Sequence, residues 1–240
     1  MLKAIHSKAN TMLRIAVLVS GQGTNFKAIL EHIKEGRIKA EVALLLSNVP
    51  DAPALAFARE ANIPIWAKSH KAFPSRAAFD EAMLAAMREA GVEAVILAGY
   101  MRLLSPIFIR EYQGKILNIH PSLLPAFTGV SGGSDALAYG VKLSGCSVHF
   151  VVDDLDAGPI IIQAAIPVLE QDTEATLIPR IHAAEHRIYP QAVAWFAENR
   201  LITEGRIVRL LPKDSTGEQT AERQGTSPAA LIHPPLEQGF

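Results

Sequence analysis

Only one cysteine, Cys146, occurs among the 240 residues. That excludes an intrachain disulfide and reads as a reducing compartment. Neither sign of charge dominates: 23 lysines and arginines stand against 24 aspartates and glutamates, a formal net charge of -1. A broad nucleic-acid surface would need clustered basic residues, so nucleic-acid binding is argued against. A small anion needs only a local pocket and stays open. No apolar run approaches the ~20 residues of a membrane span. Residues 1–11 are polar and lack the apolar core of a signal peptide. The expected location is the cytoplasm. What remains is an ordinary globular composition, 49% hydrophobic and 20% charged, long enough for one sizeable domain.

Short β-branched apolar runs alternate with helical patterns over the first half. Residues 13–19 read as a buried strand, followed by a Ser20-Gly21-Gln22-Gly23-Thr24-Asn25 loop. A helix comes next, with Phe26, Ile29, Leu30 and Ile33 on one face. Further strands are expected at 42–46, 63–66, 93–98 and 116–120, with helices at 53–61, 76–90 and 105–112 between them. Such alternation implies right-handed crossovers and an α/β fold of three layers around a mostly parallel twisted sheet. The pattern then changes. Residues 147–152 and 159–167 look like an antiparallel addition. Residues 173–198 read as a long helix that Pro179 and Pro190 must cap or kink, and 201–211 as a hairpin. The division expected is a polar extension over 1–11, one domain over 12–211, and a disordered or loosely packed tail over 212–240.

The most informative stretch is Asn118-Ile119-His120-Pro121-Ser122-Leu123-Leu124-Pro125. Strand side chains alternate, so Asn118 and His120 share a face. Pro121 cannot donate to a ladder and stops the strand. An amide and an imidazole thus stand at the C-terminal end of a strand, where open α/β sheets bind ligands. They suit oxyanion stabilisation and proton movement. Taken as a lone pair they are more readily satisfied polar residues at a strand end; their common face and their place beyond a buried strand weaken that reading. Asp153, Asp154 and Asp156 lie in a loop that could fold back to the same edge, where a carboxylate would favour a protonated imidazole. Spacing does not choose among the three. Between strand and helix, residues 20–25 offer two glycines and free N–H groups to an anion. The loop is neither a Walker A loop nor a full dinucleotide fingerprint, so a monophosphate fits better than a dinucleotide. His149 reads as structural. His182 and His186, four apart on a helix, suggest a metal, but no His-Glu-x-x-His order surrounds them and a plain helix face is preferred. Cys146 reads as a small buried hydrophobe.

These segments resemble the phosphoribosylglycinamide formyltransferase family. The resemblance rests on residues 19–25, on 97–106 (Leu-Ala-Gly-Tyr-Met-Arg-Leu-Leu-Ser-Pro), on 117–125, on Gly145-Cys146-Ser147-Val148-His149-Phe150-Val151, and on Asp156-Ala157-Gly158-Pro159-Ile160. It runs in register from about residue 13 to 211. It implies formyl transfer from 10-formyltetrahydrofolate to the amine of glycinamide ribonucleotide in purine biosynthesis, without a metal, and admits a homodimer. By resemblance, Asn118, His120 and Asp156 would be catalytic, with Asp156 holding His120 charged. Gly23, Thr24 and Asn25 would hold the substrate phosphate and Glu185 its ribose. Arg76, Met101, Arg102, Leu103, Leu104, Asn118, Val152, Asp153, Asp154, Leu155 and Asp156 would line the folate site. One departure comes after Pro125, where the family carries a histidine-containing element. Here Gly132 and Gly133 adjoin, and a permissive loop is expected over 128–134. Three rivals share features. Formyltetrahydrofolate deformylase uses the same folate but needs no phosphate loop and has an extra N-terminal domain. Methionyl-tRNA formyltransferase would want a basic face and an RNA-binding domain. A non-catalytic folate- or nucleotide-binding regulator would not need all three catalytic residue types.

Overall fold

The computed structural model describes residues 12–213 and 231–240. Strands β1 (Leu13–Val19), β2 (Ala40–Ser47), β3 (Ile65–Ala67), β4 (Ala94–Leu97) and β5 (Ile116–His120) alternate with helices α1 (Thr24–Lys34), α2 (Leu55–Glu60), α3 (Arg76–Glu89) and α4 (Pro106–Glu111). They pair in parallel in the order β3-β2-β1-β4-β5. Helix α5 (Gly132–Tyr139) leads into β6 (Leu143–Phe150) and β7 (Ile160–Pro167), which extend the sheet antiparallel from β5. The long helix α6 (Glu174–Ala197) precedes a hairpin, β8 (Leu201–Glu204) and β9 (Ile207–Leu210). The far edge of β7 is shared. Ile160 pairs with β9, and residues 163–165 pair antiparallel with β10 (Leu231–His233).

Strand alternation sorts the core into two layers. Ile15, Val17 and Val19 of β1 face one way and pack with Phe26 and Ile29 of α1, Leu55 of α2, and Ile181, Ile188 and Trp195 of α6. Ala16 and Leu18 face the other way and meet Phe79, Met83 and Met87 of α3 and Phe108 of α4. The chain runs outward from β1 to β3, then returns past β1 to β4. The reversal between β1 and β4 opens a crevice at their C-terminal ends. Both loops prominent in the sequence, 20–25 after β1 and 99–104 after β4, leave from that crevice.

Three differences from the sequence reading have physical reasons. The permissive loop at 128–134 is instead partly helix: Gly132 and Gly133 open α5. A Cβ on Gly133 would lie 2.6 Å from Ile178 Cδ1, and one on Gly132 only 3.0 Å from His120 Nε2. The glycines serve close approach rather than flexibility. Next, neither Pro179 nor Pro190 caps the helix: both lie inside one continuous 24-residue element, which excludes the first of the two alternatives, cap or kink. Each removes a single backbone donor, and burial of one whole face of α6 outweighs that loss. Finally, 231–240, expected within a loose tail, is packed: Ile232, Leu236 and Phe240 rest against the α1/α6 layer. Residues 1–11 and 214–230 lie outside the described residues.

Tyr189 pins α6 to the sheet. Its hydroxyl lies 2.9 Å from the carbonyl oxygens of both Leu97, the last residue of β4, and Leu117, the second of β5. The ring is fully buried, and burial also raises the phenol's pKa. Tyr189→Phe removes the donor and leaves those carbonyls without it. A stability loss of about 1–3 kcal/mol is expected in urea unfolding, and an unchanged midpoint would contradict the assignment.

Candidate active site

β5 ends where the octapeptide begins its chemistry. Asn118 and His120 point to one face, and the antiparallel neighbour β6 sets His149 opposite Asn118 and Ser147 opposite His120. Paired residues on adjacent strands share a face, so His149 joins the group. Ser147 is fully buried and organises the segment after His120. Its hydroxyl donates to the Ser122 carbonyl at 2.7 Å and accepts from the Leu124 N–H at 3.0 Å and from Gln163 Nε2 at 2.8 Å.

The hydrogen bonds assign proton positions. His149 Nδ1 lies 2.9 Å from the Phe150 carbonyl, which can only accept, so Nδ1 carries a proton. His149 Nε2 then accepts from Asn118 Nδ2 at 3.1 Å. Burial lowers the His149 pKa below its ordinary value, outweighing the raising effects of the Phe150 carbonyl and Asp156. The neutral ring therefore fixes which end of the Asn118 amide is NH₂. His120 Nε2 donates to the Phe127 carbonyl at 2.8 Å. Its Nδ1 lies 3.6 Å from Asp156 Oδ2, while Asp156 Oδ1 lies 3.8 Å from His149 Nε2.

Asp156 reaches this position through a left-handed turn, φ +50°, tolerated by aspartate. Its side chain is 7% exposed and accepts the Gly129 N–H at 2.8 Å. Asp153 and Asp154, the two alternatives left open by spacing, are exposed. A cleft of about 540 Å³ opens over the group. Arg76, Met101, Arg102, Leu103, Leu104, Asn118, His120 and Val152 through Asp156 all line it, as do His149 and the backbone of Gly129. Met101, Leu103 and Leu155 are more than half exposed and continue an apolar lining that includes Leu97, Leu104, Ile109 and Val151. The Arg102 guanidinium carbon sits 5.5 Å from the Phe79 ring centroid.

Gly23, Thr24, Asn25 and Glu185 are not among the residues lining this cleft and form a second group at the N-terminus of α1. Gly23 caps α1 with φ +73°, and a Cβ there would lie 2.4 Å from Ala54 Cβ. Only glycine fits both constraints. Asn25 Nδ2 donates to Glu185 Oε2 at 2.7 Å, while Asn25 Oδ1 is buried with no hydrogen-bond partner. Glu185 is 4% exposed, and burial pushes its carboxyl up to about 7 despite the Asn25 contact. Ser20 ties the two groups together. Its N–H donates to the Gly99 carbonyl, and its hydroxyl accepts from the Met101 N–H and donates to Asn48 Oδ1.

Three members of the cluster escape a reading of residues alone: His149, the Phe127 carbonyl and the Gly129 N–H. His149 is recoverable from period-two alternation on β6 once β6 is paired antiparallel with β5. Backbone groups leave no residue-type signal. His182 and His186 stack at 6.5 Å on α6, and among the described residues no group of three or more His, Cys, Asp or Glu could hold a metal. Cys146 is fully buried.

Residues 13–193 match the formyl transferase family. Glycinamide ribonucleotide transformylase 1 from Symbiobacterium toebii is 49% identical in structure-based alignment, with a TM-score of 0.83 over 88% of this chain and 99% of that one. Phosphoribosylglycinamide formyltransferase from Escherichia coli is 43% identical over 79% of this chain and 89% of that protein. The trifunctional purine biosynthetic protein adenosine-3 of Drosophila pseudoobscura is 43% identical over 86% of this chain, which spans only 15% of that longer protein. A formyltetrahydrofolate deformylase from Pseudomonas syringae, at 24% identity and a TM-score of 0.78, shares the fold. The chain belongs to the formyl transferase family, in its phosphoribosylglycinamide formyltransferase branch.

Proposed function

We propose that the protein transfers the formyl group of 10-formyltetrahydrofolate to the amine of N1-(5-phospho-D-ribosyl)glycinamide. The observation that carries this reading is the convergence of Asn118, His120 and Asp156 at the base of one cleft. Similarity to relatives named for this reaction supports it. The substrate amine attacks the formyl carbon, and the carbonyl electron pair moves to oxygen. Asn118 Nδ2, already oriented by His149, donates to that oxyanion, and His120 Nε2–H joins it by exchanging the Phe127 carbonyl for the substrate oxygen. When the intermediate collapses, the bond to the folate nitrogen breaks. That nitrogen gains a proton and the attacking amine loses one, and Asp156, alone or through water, relays it. Every bond is made and broken between the two substrates, so no side chain need become acylated.

The folate would lie along Met101 to Leu104 and the 152–156 loop, with Arg76 and Arg102 at hand for its carboxylate. The ribonucleotide phosphate would take the free N–H groups at Gly23, Thr24 and Asn25, with Glu185 beside its ribose. We place the activity in the cytoplasm, since the one cysteine, Cys146, is free and buried and suits a reducing compartment. No helix among the described residues is long and apolar enough to cross a membrane.

Incubation with 10-formyltetrahydrofolate, with and without the ribonucleotide, separates the readings. Turnover only with the ribonucleotide is expected. Turnover without it means a deformylase, and binding without turnover means a regulator. In the same assay Asn118→Ala is expected to lose roughly 10²–10³-fold in kcat while still folded. Near-normal turnover would remove Asn118 from the mechanism.

Glu185 has a pH signature. Its folded pKa, about 7, lies above the ordinary 4.5, so its neutral form is favoured by folding. The stability this gives is complete below pH 4.5 and is lost as pH rises through about 7. Glu185→Gln, which keeps the neutral shape, should gain stability relative to wild type across that window. A difference in melting temperature that does not change with pH would contradict the buried carboxyl.

A further inference from the structure

Residues 231–240 lie outside the stretch that matches the family, 13–193, yet they grip the two helices that carry the α1 site. β10 adds to β7 with Leu231 opposite Ala165 and His233 opposite Gln163. The chain then crosses α6. The Glu237 N–H donates to the Oε1 of fully buried Gln191 at 2.8 Å, and the Glu237 carboxylate pairs with Arg200. It ends on α1. The Phe240 ring stacks on His32 at 5.0 Å with a 19° interplanar angle, and the Arg37 guanidinium donates to the Gly239 carbonyl. Helix α1 has 11 residues and is therefore about 16 Å long. Its opposite end carries Gly23, Thr24 and Asn25, and there Asn25 bonds Glu185 of α6.

We infer that 231–240 is a clamp that sets α1 against α6 and so positions the ribonucleotide's phosphate and ribose groups, with Phe240 and Glu237 as positioning residues. The coupling is mechanical. A helix is stiff along its length, so tilting α1 at His32 moves Asn25 away from Glu185. The two helices share an apolar seam, with Phe26 and Ile29 beside Ile181 and Ile188; polar contacts close it at each end, Asn25 to Glu185 at one and, through 231–240, the Phe240 stack and the Arg37 contact at the other. The folate cleft is built from different parts, the 99–104 and 152–156 loops and β5, and Phe240 does not line it. Loosening the clamp should therefore weaken one substrate and spare the other. A generally destabilised enzyme would show no such preference.

This rests on the function proposed above. The test is steady-state kinetics of the full chain carrying Phe240→Ala, with each substrate varied in turn. KM for glycinamide ribonucleotide is expected to rise roughly tenfold, while KM for 10-formyltetrahydrofolate moves less than about twofold. Phe240→Tyr, which keeps the stacked ring, should restore the first value. His32→Ala approaches the same stack from the helix side, should give the same split, and should not add to Phe240→Ala in the double variant. It also keeps the test alive if Phe240→Ala fails to fold. An unchanged ribonucleotide KM alongside a lowered melting temperature would overturn the clamp, as would an equal rise in both KM values. Absence of ribonucleotide-dependent turnover in the wild-type chain would instead overturn the functional reading.

Discussion

The antiparallel pairing of β5 with β6 is the constraint on which the site depends. A purely parallel sheet would give a crevice at the β1/β4 reversal but no second row of side chains at β5. Pairing in this register puts His149 against Asn118 and Ser147 against His120. A one-residue slip would turn β6's side chains to the opposite face and leave Asn118 without its acceptor. Ser147 serves the same pairing from below, gathering the Ser122 carbonyl, the Leu124 N–H and Gln163 around one hydroxyl. Local fold and local chemistry are set by the same ladder.

Two backbone groups complete the arrangement. The Phe127 carbonyl accepts from His120 Nε2, and the Gly129 N–H donates to Asp156 Oδ2. The segment after Pro125 is therefore latched to both side chains rather than left open. Its own course is set by close contact, with Gly132 and Gly133 letting α5 begin against Pro121, His120 and α6. A buried polar cluster of this kind is stable only when its members are paired, and here each of the four side chains has a partner. At the α1 site the balance differs. Asn25 Oδ1 is buried and unpartnered, and Glu185 sits where burial favours its neutral form.

Much of this was legible in residues. Apolar runs bounded by turn residues located β1 to β5, and the bounds of β5 are those expected, because Pro121 ends it and Lys115 precedes its apolar start. Alternation placed Asn118 and His120 on one face without any knowledge of neighbours. The choice of Asp156 over Asp153 and Asp154 needed the family resemblance, since all three suit a turn. What escaped has a common cause: it depends on contacts distant in sequence. Gly132 and Gly133 have low intrinsic helix propensity, and only the nearness of Ile178 and His120 explains a helix there. Pro179 and Pro190 break isolated helices but are carried here by packing. Ile232, Leu236 and Phe240 are too sparse to signal a strand and a strap, and only the exposed edge of β7 and the surfaces of α1 and α6 give them a place. His149 reads as structural from its own strand, and its hydrogen bond to Asn118 appears only once β6 is paired with β5.

The central claim is that a neutral His149, protonated at Nδ1, holds the Asn118 amide in its productive orientation. The most direct measurement is the ¹⁵N chemical shift pair of the His149 ring, followed as pH is varied. The account predicts the Nδ1–H tautomer at neutral pH and a pKa below the ordinary 6.5. A ring that carries its proton on Nε2, or that is already an imidazolium at pH 7, could not accept from Asn118 and would contradict it.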